Sequence, residues 1–551
     1  MWRSVQHRWQ NSPKGNPQWQ PIDRAAWLVI AALVVAIAAL LVLGDRSAAR
    51  VRDFSWADRT IGADDRAFVL AFNRPMNRDS VEANLKLDPP LEGKVSWAGT
   101  RMAFTLDRPA PYGTSFQLQL GAGARDTRED SKPAESFSAA FRSRDRVFAY
   151  IGTEGEEAGR LILYELTQQR KTILTPPNLL VNDFKPYPNR DRILFSATET
   201  STLEKTDSPS LLEQQFYTVT TGLSVTNQAP EPAGEVMPVL DNRDYQNLKF
   251  DLAPDGSAAL VQRAERKNAS NVSLWLLRDR QTPQKLESQG GGEFVITPDS
   301  QSIAITQGQG VAILPLPKAD MGNNDRYRRE IQPLDFLPKF GTVLGFASDG
   351  SAAALVKFNG DFTRSLFVVT PSGETELARI QGSILRAEFT PDNRVLYALV
   401  TQRVEDENYR EQPYIGAFDL KTKALSPLLL LPEQLDIALD LSPDGAALLF
   451  DQIDTKAKAK GDRADQSNQS DQSKSGEEET TQDDRESGRG NRADRSSADP
   501  EAARRPEASD GNKIEHSQLW LLPVAQNPDG TFAKLTPQAL PLPGARPRWL
   551  P

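Results

Sequence analysis

One short unit of sequence recurs along most of the chain and decides its fold. Its clearest copies read Phe250-Asp251-Leu252-Ala253-Pro254-Asp255-Gly256 and Leu439-Asp440-Leu441-Ser442-Pro443-Asp444-Gly445. Variants of the unit begin at Asp183, Phe294, Gly345 and Glu388, and an apolar strand follows each copy. Proline presets φ for a turn, and Asp or Asn followed by Gly tolerates positive φ at a hairpin tip. The unit therefore predicts a strand, a tight turn and a second strand.

A second element lies between these units and completes the repeat. It consists of an apolar strand, a polar turn and a returning strand, as in 161–164 with 171–174 and 274–277 with 284–286. One turn unit plus one such hairpin makes a four-stranded sheet of about 45 residues, which is the period of a propeller blade. The repeat predicts a β-propeller over residues 145–551.

The two ends of this region indicate how the ring closes. The region opens with the strand 146–151, which lacks a preceding turn unit, and 546–551 looks like the start of that missing unit. We expect the C-terminal strand to complete the first blade, which gives seven blades. Six blades is the alternative if the irregular stretch 199–247 forms no full blade.

The repeat resembles the blades of TolB-like and WD40-like propellers. The resemblance rests on the turn units quoted above, and the Gly-His and Trp-Asp landmarks of true WD40 repeats are missing. It implies a rigid ring that presents loops to a ligand or partner.

Residues 51–142 show period-two alternation in short runs, which predicts a β-sandwich. The buried faces should carry Phe68, Leu70 and Phe72 on one strand, with Met102, Phe104, Leu106, Phe116, Leu118 and Leu120 on two others; Trp97 should belong to the core. The run Phe72-Asn73-Arg74-Pro75-Met76-Asn77 resembles the bacterial Ig-like domain of surface-layer and cell-envelope proteins. The usual closing Asp-x-x-Gly is altered at 126–129. The resemblance implies a spacer domain outside the cytoplasm.

Ahead of the sandwich, a polar tail (1–24) leads into an uncharged stretch of twenty residues from Ala25 to Gly44. At about 1.5 Å per residue, a helix of this length spans roughly 30 Å, the thickness of a bilayer's hydrocarbon core. The stretch predicts a single-pass transmembrane helix, with a cleaved signal peptide as the alternative. Flanking Lys and Arg residues do not orient it, but the Ig-like resemblance favours a cytoplasmic N-terminus and periplasmic C-terminal domains at the inner or plasma membrane.

Residues 455–515 interrupt the last predicted blade. Among dense charged and small polar residues they hold one large apolar side chain, Ile514. Such a segment buries too little apolar surface to offset the entropy of ordering, so it predicts a disordered surface loop. A tether for a partner is the alternative.

Composition restricts the available chemistry. A net charge of −9 and a pI near 5.2 argue against nucleic-acid binding. The absence of Cys excludes disulfides and thiolate chemistry, and His7 and His516 are the only histidines. We predict no cofactor, no metal ligand and no catalytic residue. The recurring turn residues Asp255, Asp299, Asp349, Asp392 and Asp444 occupy equivalent positions, which indicates a structural role.

The sequence thus predicts an all-β protein with an Ig-like sandwich, a propeller and one N-terminal anchor. Its predicted function is that of an envelope-anchored interaction or scaffold protein that binds a protein or glycan on a propeller face. The alternative is an extracytoplasmic, carboxylate-dependent hydrolase acting on glycans in the propeller channel. Paired carboxylates with raised pKa in a deep axial pocket would favour that alternative.

Overall fold

The structure is a computed structural model, and the strands that it contains dominate the chain. It describes residues 21–43, 48–127, 133–203, 210–223, 230–286, 291–308, 310–317, 334–404, 409–434, 436–455, 504–508, 511–527, 530–533 and 535–551. The polar tail 1–20, His7 and residues 456–503 of the predicted insertion lie outside these ranges.

The first element is helix α1 (Pro21–Leu43), which covers most of the predicted anchor. Within the described residues, no helix combines the length and the apolar character that crossing a membrane requires. The predicted transmembrane helix over Ala25 to Gly44 is therefore wrong, and so is the single-pass inner-membrane location drawn from it.

Two four-stranded sheets follow, over the residues predicted to form a sandwich. The strands are β1 (Val51–Phe54), β2 (Thr60–Ile61), β3 (Ala67–Phe72), β4 (Leu85–Asp88), β5 (Gly93–Ala98), β6 (Arg101–Leu106), β7 (Ser115–Leu120) and β8 (Phe137–Ser143). One sheet has the order β1-β3-β6-β5 and the other β2-β8-β7-β4. The alternating residues predicted to be buried on β3, β6 and β7 are all buried in one shared core. The alternation is confirmed, and membership of the bacterial Ig-like family stays a prediction.

A short helix, α2 (Arg78–Asn84), follows the Phe72–Asn77 run that carries the Ig-like resemblance. Asn77 caps it, because its side-chain oxygen accepts a hydrogen bond from the Ser80 amide at 3.0 Å. Val81 then faces the core and is fully buried. Trp97 packs on the same core, stacks on Phe72 and donates its indole N–H to Glu82, so its predicted core role is confirmed.

Seven four-stranded sheets are formed by the rest of the described chain. Their strands are β9 (Val147–Gly152), β10 (Leu161–Glu165), β11 (Arg170–Ile173), β12 (Leu179–Pro186), β13 (Arg192–Glu199), β14 (Gln215–Thr220), β15 (Val236–Leu240), β16 (Tyr245–Leu252), β17 (Ala259–Glu265), β18 (Asn268–Leu277), β19 (Gln284–Lys285), β20 (Phe294–Ile296), β21 (Ser302–Gln307), β22 (Gly310–Pro315), β23 (Asp335–Leu337), β24 (Thr342–Phe346), β25 (Ala353–Phe358), β26 (Arg364–Thr370), β27 (Gly373–Ile380), β28 (Ile384–Phe389), β29 (Val395–Val404), β30 (Arg410–Asp419), β31 (Leu425–Leu430), β32 (Leu439–Leu441), β33 (Ala447–Thr455), β34 (Ile514–Pro523), β35 (Gln538–Leu540) and β36 (Gly544–Trp549). A third helix, α3 (Thr200–Leu203), lies between β13 and β14.

These sheets are the blades of a propeller. Blade 1 combines β9, β10 and β11 with β36, and blades 2 to 7 are β12–β15, β16–β19, β20–β23, β24–β27, β28–β31 and β32–β35. The irregular stretch 199–247 contributes β14 and β15 to blade 2, so the count is seven and not six. First strands of neighbouring blades contact one another around the ring, which places β12, β16, β20, β24, β28, β32 and β36 at the axis.

The recurring turn unit joins the first and second strands of the blades, as its composition predicts. Gly256, Gly350 and Gly445 end three of these turns at φ of +72°, a conformation that glycine adopts without steric cost. In other blades Ser300, Asn393 and Arg190 occupy the same place, also at positive φ. The turn geometry is therefore common to blades whose residues differ.

Ring closure takes place in blade 1, where the two ends of the propeller region pair. β36 runs antiparallel to β9, with Ala545 opposite Ile151 and Trp549 opposite Phe148. The Trp549 ring is 5% exposed and meets Phe148 edge-on at 5.5 Å. The predicted closure by the C-terminal strand is confirmed.

The end of the predicted insertion packs onto the propeller. Ala508 and Ile514 are buried with Ile453 and Ala545, and Glu507 forms a β-bridge with Lys513. The prediction of disorder is therefore wrong for residues 504–508 and 511–515, because these few apolar side chains find a core to join. The remainder, 456–503, lies outside the described residues.

The closing tryptophan provides a direct test of the ring. Trp549→Ala should lower the free energy of unfolding by about 3–5 kcal/mol, since it removes a large buried ring and leaves a cavity. Phe362→Ala is the matched control, because Phe362 is 94% exposed, and it should change stability by less than about 0.5 kcal/mol. Chemical denaturation of both variants measures the difference, and equal stabilities would contradict the closure.

Candidate functional site

The first strands of the blades bring charged side chains to the propeller axis. Equivalent positions in the seven blades can be identified from one recurring backbone hydrogen bond, which links the end of the first strand to the start of the next strand in the sheet. The amides that donate it belong to Tyr187, Ala253, Thr297, Ala347, Thr390, Ser442 and Leu550. We call the residues two positions before these donors the first ring; they are Lys185, Asp251, Val295, Gly345, Glu388, Asp440 and Arg548. The residues four positions before the donors form the second ring; they are Asp183, Lys249, Glu293, Val343, Arg386, Ala438 and Arg546. The two rings hold five cationic and five anionic side chains.

Most of these charges pair between neighbouring blades. Arg548 of blade 1 contacts Asp183 of blade 2 at 3.0 Å. Lys185 of blade 2 pairs with Asp251 of blade 3, and Lys249 of blade 3 pairs with Glu293 of blade 4. The pairs therefore connect blades 1 to 4 around the axis, and their exposure ranges from the nearly buried Asp251 to the largely exposed Glu293.

Two aspartates of the first ring also bind the backbone of the next blade. Asp251 accepts a hydrogen bond from the Ile296 amide at 2.8 Å, and Asp440 accepts one from the Trp549 amide at 2.6 Å. Ile296 and Trp549 occupy equivalent positions, one residue after the first ring. The same carboxylate-to-amide contact thus joins blade 3 to blade 4 and blade 7 to blade 1.

A further carboxylate strengthens the second of these junctions. Asp451, on β33, accepts hydrogen bonds from the Arg546 amide and the Ala438 amide, both at 2.7 Å. Arg546 has φ of +53° and lies at an irregularity in the pairing of β36 with β9, so its amide is available to a side chain. Burial raises the pKa of Asp451 to about 6.

Glu388 occupies in blade 6 the first-ring position that Asp251 and Asp440 occupy in blades 3 and 7, but it does not bond to the next blade. Its carboxylate makes no hydrogen bond and no ion pair with any residue that the structure describes. The neighbouring position of the first ring in blade 5 is Gly345, which has no side chain. Glu388 is half-buried, so part of its side chain remains accessible to solvent. It is therefore a hydrogen-bond acceptor that the fold itself leaves unused.

Electrostatics couple Glu388 to its neighbour Asp440. Burial raises the pKa of Glu388 to about 7, and the negative charge of Asp440 acts in the same direction. Burial likewise raises the pKa of Asp440 to about 6, against the hydrogen bond from Trp549. Arg386, Arg548 and Lys185 favour the ionised forms of both. Glu388 and Asp440 thus form an acidic pair with raised pKa, which is one of the two features that would favour the hydrolase alternative; the other is a deep axial pocket.

The aspartates singled out in the sequence lie elsewhere, in the turns. Asp255, Asp299, Asp349, Asp392 and Asp444 each accept a hydrogen bond from the amide two residues later, at 2.8–3.2 Å. Hydrogen bonds from Ser351 hold the pKa of Asp349 below its ordinary value. The predicted structural role of these residues is confirmed.

His516 lies on the surface, 3.7 Å from Glu154, with 77% of its side chain exposed. Over the residues that the structure describes, no three His, Asp or Glu side chains form a cluster suited to a metal ion. The structure thus brings His516 to no other candidate residue.

Comparison with known proteins finds likeness only at the level of solved structures. No family model and no curated protein matches the chain. TolB from Acinetobacter baumannii is 10% identical, with a TM-score of 0.36 over 85% of this chain and 83% of that chain. Oligogalacturonate lyase in complex with manganese is 12% identical, with a TM-score of 0.39 over 66% and 94% of the two chains. A nidogen/laminin complex is 11% identical, with a TM-score of 0.29 over 52% and 92%.

Similarity this distant identifies no ligand or activity for this chain. The propeller that the sequence repeat predicts is present in the seven blades described above.

The raised pKa of Glu388 leads to a pH-dependent prediction. An unfolded Glu titrates near pH 4.3, so between about pH 4.3 and pH 7 the folded state retains a proton that the unfolded state has lost. Ionisation of Glu388 therefore destabilises the fold as pH rises through this window. Glu388→Gln should remove that loss, so its stability relative to wild type should increase by about 1–3 kcal/mol from pH 4.5 to pH 8.

Urea unfolding at a series of pH values measures this difference. Glu376→Gln on β27 is the matched control, because Glu376 is exposed and carries the same substitution. Its stability relative to wild type should stay constant with pH. A flat profile for Glu388→Gln would show that Glu388 ionises as it does in the unfolded chain.

Proposed function

We propose that this protein is a binding scaffold whose propeller channel receives a hydrogen-bond-donating group of a protein or glycan partner. The observation that carries the proposal is the unpartnered carboxylate of Glu388. A propeller presents groups around a rigid ring and can bind without catalytic residues.

The energetics of the channel support this role for Glu388. A carboxylate removed from bulk water without a partner carries a desolvation penalty that a ligand's N–H or O–H group would offset. The other charges of blades 1 to 4 already have partners within the protein. A ligand group that reaches Glu388 would also meet the negative charge of Asp440, which acts on Glu388 electrostatically.

The chemistry of the acceptors indicates which groups fit. Two neighbouring carboxyls accept hydrogen bonds from an ammonium group or from adjacent sugar hydroxyls, and the bond to a charged partner is worth roughly 1.5–3 kcal/mol. Lysine side chains of a protein and hydroxyl pairs of a glycan both meet this requirement.

Binding arrays of oligosaccharides and of lysine-containing peptides test the proposal, each probed with wild type, Glu388→Gln and Glu376→Gln. We expect wild type and Glu376→Gln to bind the same ligands and Glu388→Gln to bind them at least tenfold more weakly. Thermal unfolding at pH 7 should show that all three proteins are folded. If wild type binds no member of either array, or if Glu388→Gln binds as wild type does, the channel is not the binding site.

A hydrolase that acts on glycans is the second candidate, and the raised pKa values of Glu388 and Asp440 favour it. A carboxyl with a pKa near 7 can donate a proton to a leaving oxygen, while an ionised neighbour acts as nucleophile or base. The hydrogen bond from the Trp549 amide restrains Asp440, which favours binding over catalysis. Release of new reducing ends from bound oligosaccharides by wild type, with none from Glu388→Gln, would decide for the hydrolase.

A further inference from the structure

The junction between the sandwich and the propeller holds a second set of unpartnered groups. Sandwich residues lie against the turns of several blades: Arg108 is 3.4 Å from Asp392, and the Tyr112 amide donates a hydrogen bond to Asp444 at 2.9 Å. Arg146, just after the sandwich, pairs with Asp444 at 3.1 Å. The junction is thus built on turn residues of blades 6 and 7.

Blade 2 contributes an unusual turn residue to the same region. Where Gly256, Gly350 and Gly445 end the equivalent turns, blade 2 has Arg190 at φ of +63°. Its amide donates to the Tyr187 carbonyl at 2.9 Å, which is the contact that closes the turn. A non-glycine residue adopts this conformation only at an energetic cost, and here the residue adds a long cationic side chain.

The side chain of Arg190 is buried without a counter-ion. Arg190 is 6% exposed, and its Nε atom is buried with no hydrogen-bond partner. Its guanidinium makes no hydrogen bond or ion pair with any residue that the structure describes. Burial lowers the pKa of Arg190, and the nearby Arg144 acts in the same direction. A buried cation in this state requires an anion.

Tyr112 and Arg144 provide two further hydrogen-bond donors, and both act electrostatically on Arg190. Tyr112 is 5% exposed, and its hydroxyl oxygen accepts a hydrogen bond from the Ala63 amide at 3.0 Å, which leaves the hydroxyl proton free to donate. The Arg144 guanidinium lies against the adjacent Gly62, since a Cβ atom at Gly62 would come within 2.7 Å of it. Arg144 and Arg190 both act electrostatically on Tyr112.

The carboxylates near Arg190 are already engaged. Asp145 and Glu165 lie within its electrostatic range. Asp145 pairs with Arg142 and also accepts a hydrogen bond from Gln168. Glu165 pairs with Arg170. Both carboxylates favour the charged form of Arg190, but each also makes its own ion pair with another arginine.

We propose that Arg190, Arg144 and Tyr112 form an oxyanion site for a phosphate group at the junction of the two domains. Two guanidinium groups and a hydroxyl supply hydrogen-bond donors and positive charge, the chemistry that binds phosphate in proteins. The anion joins the propeller, through Arg190, to the sandwich, through Arg144 and Tyr112. This site is separate from the channel, and it does not depend on what the channel binds.

Isothermal titration of the full chain with inorganic phosphate tests the site, at an ionic strength held constant with sodium chloride. Wild type should bind phosphate at a single site, and Arg190→Gly and Arg144→Gln should each weaken binding at least tenfold. Arg280→Gln is the control, because Arg280 is also at positive φ (+59°) but is exposed; its affinity should equal that of wild type.

The glycine variant also separates loss of the site from loss of the fold. Glycine suits the positive φ and removes an unpaired buried charge, so Arg190→Gly without phosphate should melt at or above the temperature of wild type. Glycerol 2-phosphate, titrated in parallel, distinguishes a phosphate ester from free phosphate as the ligand. Absence of binding in wild type, or full affinity in Arg190→Gly, would overturn the proposal.

Discussion

The propeller depends on the capture of β36 by carboxylates of blade 7. Asp440 and Asp451 hold the Trp549 and Arg546 amides, and the tryptophan ring completes the core of blade 1. These hydrogen bonds act together with the pairing of β36 with β9 and the ion pair of Arg146 with Asp444, so several contacts hold blades 1 and 7 together. Carboxylate-to-amide bonds are stronger than neutral ones, and they occur here where the backbone of β36 is irregular and cannot satisfy itself.

The same contact explains why so many charges lie at the axis. Asp251 joins blade 3 to blade 4 through a carboxylate-to-amide hydrogen bond, as Asp440 joins blade 7 to blade 1. Each such aspartate brings a negative charge inward, and lysine and arginine residues of the adjacent strands balance it. Glu388 belongs to this series by position, yet its longer side chain makes no bond to the next blade. The position that bonds to the next blade in blades 3 and 7 therefore makes no such bond in blade 6.

Local patterns predicted the architecture well where the physics is local. Proline, aspartate and glycine specify a turn wherever they occur together, and alternation placed Phe68, Leu70 and Phe72 in the core. Closure at Trp549 followed from counting strands. Whether a charge has a partner depends on contacts between blades, so Glu388 and Arg190 could not be distinguished from their neighbours. A charged residue two positions before five of the seven turn donors is the sequence signal that could have identified the strands at the axis.

Two predictions failed because they rested on composition alone. The length and apolarity of Ala25 to Gly44 predict a membrane span, but no helix among the described residues meets the requirements for one. The average composition of 455–515 is polar, but its residues Ala508 and Ile514 pack against Ile453 and Ala545. A few apolar side chains next to an existing core fold with it, whatever the average of the segment to which they belong.

The pairing of Trp549 with Phe148 also constrains how the chain folds. These residues are about 400 positions apart, and the entropy lost on joining distant segments grows with the logarithm of their separation. Each of blades 2 to 7 is formed by strands that are neighbours in the sequence, so these blades can form early. Their formation shortens the effective chain length between β9 and β36. Blade 1 forms last, and until then β9 presents an unpaired edge that other strands could bind. The slowest step of folding therefore coincides with the period of greatest exposure to aggregation.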